Sequence, residues 1–228
     1  MATVDFNSQY YPYEKVQTGY NTMKGAEYIP LKILLYLMDM ADKEGYVPID
    51  DNERARVRLM KYLYYDGANP LANALPTDAQ KRSMLFDGAN PVLDKDSEKA
   101  KHPVGYRLYP VEYWQQAELL AKTVLKCYIG RVVPVSPFRE EIGIVFEIIT
   151  NYALDNTTKT TAYSKTYAME CALIEALHGV NIAGVGVINF DRRIHGDAGS
   201  RPAHDNGVHI YRIVNMSLSW QETTENAD

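Results

Sequence analysis

From Thr123 onward the chain switches repeatedly between two kinds of segment, and that switching limits the folds open to it. TVLKCYIGRVVPV (123–135) and IGIVFEIITN (142–151) are dense in β-branched and aromatic residues and are joined by the turn-like SPFREE. Such runs fit a pleated, half-buried surface. TTAYSKTYAMECALIEALHG (160–179) follows with helical spacing. Thr161 stands where a cap belongs, Tyr163, Tyr167, Cys171 and Ile174 recur along one face, and Gly179 marks the end. VNIAGVGVINFD (180–191) and VHIYRIVNMSLSW (208–220) then read as two strands. In the second, Ile210, Val214, Met216, Leu218 and Trp220 face one way, and His209, Asn215, Ser217 and Ser219 the other. The order β-β-α-β-β predicts an α+β fold, an antiparallel or mixed sheet packed on helices.

The first half reads as helical. Apolar residues from Ile29 to Ala41 recur at steps of three and four, which predicts a core helix from Ala26 to near Gly45. Two segments then end in the same five residues, DGANP, at 66–70 and again 21 positions later. The first opens with Asp50 and has Glu53 three residues on; the second opens with Thr77 followed by Gln80. Both are helix-start signatures. Gly67 and Gly88 are expected to end these helices in left-handed conformation, with Pro70 and Pro91 barring continuation. A calcium loop would need several carboxylates at alternating positions, and each copy offers one Asp. A further short helix is expected around 110–122. The domain reading is an arm over 1–24, one α+β domain over 25–220 with a helical insertion at about 49–105, and a disordered tail over 221–228.

Candidate chemistry concentrates in one place. The segment that begins at Asp191 holds that residue with Arg192, Arg193, His195, Asp197, Arg201, His204 and Asp205, and reads as a long hairpin loop. His and Asp together could bind a metal or move protons, so a small metal-dependent hydrolase or nuclease is the alternative reading. The spacing matches none of the motifs that place two His on one helix face, and its three Arg and three Asp cancel, as on a docking surface. Cys171 with His178 or His195 would suit a cysteine nucleophile. Cys171, however, sits inside an amphipathic helix, where a small buried side chain is the commoner explanation, and His178 suits a helix C-terminus. GVGVINF lacks the third Gly of a dinucleotide loop; Gly184 and Gly186 are expected to permit a bend or a close approach. No catalytic residue, cofactor or metal site is assigned.

Two cysteines do not make a disulfide framework, and a net charge of −5 argues against coating nucleic acid. The apolar run at 28–40 carries Lys32 and Asp39 and is too short to span a bilayer. Eighteen tyrosines against five phenylalanines are suited to half-wet interfaces. Tyr10, Tyr11 and Tyr13 in the arm therefore join the 192–205 residues as candidate contacts.

A leading helix, VLKCYIGRVVPVSPFREEIGIVFEIIT, the helix YSKTYAMECALIEALHGV and the closing VNMSLSW together resemble the tail-terminator and neck proteins of tailed bacteriophages. The resemblance covers about 26–45 and 121–220. It implies a virion protein without catalysis, made in the host cytoplasm. Its subunits would form a ring, usually of six, that joins tail to head connector and ends tail-tube polymerisation. Partners would be further copies and neighbouring neck, connector or tube proteins. DNA would pass through the lumen without specific binding, and no membrane is involved.

Overall fold

The computed structural model describes residues 25–40, 47–67, 69–86, 106–112, 122–136, 139–155, 164–190, 199–204 and 209–220. A 3-10 turn, Ala26–Tyr28, leads into α1, Ile29–Met38, where Ile29, Ile33, Leu34 and Leu37 are entirely buried. The expected extension of this helix toward Gly45 stops early, because Asp39 leaves helical geometry (φ −75°, ψ 87°). Residues 41–46 lie outside the described set.

Both expected helix starts are present. In α2, Asp51–Tyr64, the Asp50 carboxylate accepts the Glu53 N–H at 2.8 Å. In α3, Asp78–Met84, Thr77 and Gln80 form the complete capping box. Each arrangement satisfies N–H groups that the first helical turn leaves without partners. Thr77→Ala is expected to lower stability by about 1 kcal/mol. The readout is a lower urea midpoint at unchanged slope; an unmoved midpoint would show that the cap contributes nothing in solution.

The sheet contains β1 (Leu108–Tyr109), β2 (Thr123–Ser136), β3 (Arg139–Asn151), β4 (Asn181–Ile182), β5 (Gly186–Asn189), β6 (Ser200–His204) and β7 (His209–Trp220). Its order is β1-β2-β3-β7-β5-β4, with β6 also on β7. β1 runs parallel to β2 and the other pairings are antiparallel, so the sheet is mixed and the α+β expectation holds. Between β3 and β4 lie α4, Tyr152–Asp155, and α5, Lys165–Leu177.

One sheet face is apolar along three long strands. Leu125 and Cys127, Ile142 to Ile148 at alternate positions, and Val214, Met216, Leu218 and Trp220 are buried there. These pack in one core with α1, with Leu59, Met60 and Leu63 of α2, and with Met169, Ala172, Leu173, Ala176 and Leu177 of α5. Burying each large aliphatic side chain contributes roughly 1.5–3 kcal/mol, so this core outweighs any local propensity. The alternation expected in the last strand holds for Val214, Met216, Leu218 and Trp220, whereas Ile210 is only half-buried and His209 and Ser217 are buried too. On the other face, a smaller cluster joins Tyr106, Tyr109, Val124 and Ile149, with Phe86 stacked on Tyr109 at 5.2 Å.

Several local expectations are corrected. VNIAGVGVINFD is a hairpin of two short strands rather than one strand. Gly184 and Gly186 have positive φ at its turn, and a Cβ on Gly186 would lie 3.2 Å from the Ser219 carbonyl oxygen, the close approach anticipated. The α5 cap is Ser164, which accepts the Tyr167 N–H; Thr161 lies outside the described residues. Gly179 does end this helix, at φ 76°. The loop after Asp191 contains β6, so part of it is strand. The helix expected around 110–122 falls mostly outside the described residues, as do 1–24 and 221–228.

Candidate functional site

The first DGANP copy works differently from a glycine stop. α2 ends at Tyr64, Tyr65 is extended (φ −103°, ψ 125°), and Gly67 is not among the left-handed glycines. Tertiary contacts end the helix. Arg107 donates two hydrogen bonds to Asp66, at 2.8 and 2.6 Å, and a third to the Leu63 carbonyl at 2.7 Å. Lys165 donates to the Tyr65 carbonyl at 3.1 Å and lies 3.7 Å from Asp66. The Arg107 side chain is 9% exposed, that of Lys165 1% and that of Asp66 29%. Pro70 then opens a 3-10 turn, Pro70–Ala72, and is itself buried. The second copy lies outside the described residues apart from its approach, where Phe86 N–H bonds the Leu108 carbonyl at 2.8 Å.

Around this knot the charge balance is tight. Burial lowers the pKa of Lys165 to about 8, against the opposing pull of Asp66. Lys122, which donates to the Tyr106 carbonyl at 2.9 Å, is likewise lowered to about 8, by burial first and then by Arg107. Asp155, also buried, accepts the Thr166 N–H at 2.7 Å. Every strong group here already has a protein partner, so the arrangement fixes the end of α2, β1 and the start of α5 to one another. It is a fastening.

Tyrosines divide between the same structural work and the surface. Tyr36 donates to Asn52 at 2.7 Å, Tyr65 to the Ala74 carbonyl at 3.0 Å and Tyr128 to Glu147 at 2.6 Å. Tyr28 and Tyr152 are more than half exposed.

Among the described residues, Cys171 and His178 are not joined as a catalytic pair. Cys171 is only partly buried, on the outer stripe of α5 with Tyr167, so the buried-cysteine expectation fits Cys127 instead. His178, the residue that caps that helix, stands seven residues beyond Cys171, about 10 Å along the axis. Its Nδ1 accepts the Phe190 N–H at 3.0 Å, so the ring is tied to the β5 end rather than to the helix carbonyls. Among the described residues no group of three or more His, Cys, Asp or Glu is placed to hold a metal ion. Arg192, Arg193, His195, Asp197 and Asp205 lie outside the described set, as do Tyr10, Tyr11 and Tyr13. Arg201 is exposed on β6 opposite Ile213, and His204 ends that strand opposite Ile210. β6 is fastened at its start: Arg212 bonds both Ser200 and Glu170 and stacks 4.8 Å over the Tyr167 ring.

The surface that stands out is the far half of β2. β1 pairs only with Leu125 and Lys126, so beyond them β2 is a sheet edge among the described residues. Gly130, Arg131, Val132, Pro134, Val135 and Ser136 are all exposed, Val135 by 50%. Side chains pointing to opposite sheet faces are exposed together, so this stretch extends beyond the packed core. An apolar edge of this kind invites strand addition unless it is blunted. Here it is blunted twice. Register shifts fall between Ile129 and Arg131 and between Pro134 and Ser136, and Pro134 has no N–H to give. Pro202 does the same on β6. The edge is therefore a poor template for another strand. This exposed edge was missed in the sequence. Its signal was Pro134 within a run of valines, which reads as an edge.

Fold and surface together define an α+β protein whose helix-backed mixed sheet carries an exposed, blunted apolar edge. The YomW family model matches residues 57–204, and the chain belongs to that family. The family name is that of a Bacillus phage gene product, which suggests a phage-encoded protein. Comparison with curated proteins and with solved structures returns no match. No helix among the described residues is long and apolar enough to cross a membrane.

Proposed function

We propose that this chain is a structural virion protein, a ring-forming neck or tail-terminator subunit that joins the phage tail to the head connector and ends tube polymerisation. The observation that carries the reading is the far half of β2, where Val132 and Val135 stand in solvent beside Pro134. Exposed apolar groups clustered on a strand that resists strand addition are suited to side-chain packing against another subunit. The phage link of the family supports the setting. In such a ring each copy would give one surface and receive a different one from its neighbour, the arrangement that closes by rotation. The subunit acts by contact and not by catalysis, and DNA crosses the lumen without a specific site.

Native mass measurement and electron microscopy of the purified protein are expected to show a ring with a central hole, six copies being the expected number. A strictly monomeric protein that is also absent from virions would overturn the reading. The double substitution Val132→Glu, Val135→Glu is expected to weaken self-association at least about tenfold, the effect of roughly 1.4 kcal/mol. Its circular dichroism and urea midpoint should stay unchanged, since both side chains are exposed. Unaltered association would move the interface elsewhere.

A further inference from the structure

We draw no further inference here: the strongest candidate, the groove of about 810 Å³ between α1, α3 and β4 with Lys32, Lys81 and Arg82 along it, carries nothing because Asp39 and Asp78 line it too, Lys81 is already bonded to Asp78 and the Met40 carbonyl, and nothing in the structure shows what covers it.

Discussion

Replacing Asp66 by alanine is expected to destabilise the protein by about 3 kcal/mol, near the lower end of what loss of one partner costs a buried ion pair. The reason is what remains. Arg107 and Lys165 would stay buried without the carboxylate that takes both forks of the guanidinium and lies 3.7 Å from the ammonium. The lower end applies because the Asp66 side chain is 29% exposed and water can reach the vacated place. Asp66→Asn should recover little, since an amide cannot accept both Arg107 donors as a carboxylate does. Denaturant midpoints of the two variants give the answer. If both shift by less than about 0.5 kcal/mol, as ordinary surface substitutions do, the knot contributes nothing and the DGANP segment is held by its turn alone.

The second large effect is with pH. In the unfolded chain Lys122 and Lys165 keep their protons up to the ordinary 10.5, whereas in the folded protein each releases its proton near 8. Below pH 8 both states are protonated and the burial cost is constant. Between about 8 and 10.5 the unfolded state binds more protons, so folding stability rises with pH. A full shift would be worth roughly 3 kcal/mol per lysine as an upper bound, at 1.36 kcal/mol per pH unit. Tyr109 and Tyr128 act in the opposite sense: burial raises both, and Glu147 raises Tyr128 further. They keep their protons when folded while unfolded tyrosines ionise near 10, so stability falls above that value. The urea midpoint should therefore stay level to about pH 8, rise above it, peak near pH 10, and then drop. Lys165→Met should reduce the rise to roughly half. A midpoint that is flat or declining from pH 7 to 9.5 would contradict the assignment.

How far the fold could be read ahead depended on the range of the forces involved. The strands around 123–151, the helix ending at Gly179 and the two faces of β7 were legible because side-chain periodicity is local and the core amplifies it. The caps at Asp50 and Thr77 were legible for the same reason, since each bond spans three residues. The end of α2 was not. Gly67 is a fair local stop, but Asp66 meets Arg107, 41 residues away, and the ion pair sets the path first. Nor was the strand in the loop after Asp191 visible. SRPAH lacks strand propensity and becomes β6 only because β7 offers it a ladder.

The candidate site divides in the same way. The sequence by itself determined the sheet-on-helix class, the apolar face that each long element buries, and the lack of a recognisable catalytic motif. Only the tertiary structure decided that Asp66 is a fastening, that His178 is tied to Phe190 instead of serving Cys171, and that β2 runs out beyond the core with Val132 and Val135 exposed. Period and composition report which residues prefer to be buried. Which strand lies at an edge, and which buried charge meets which, depends on how distant segments come together.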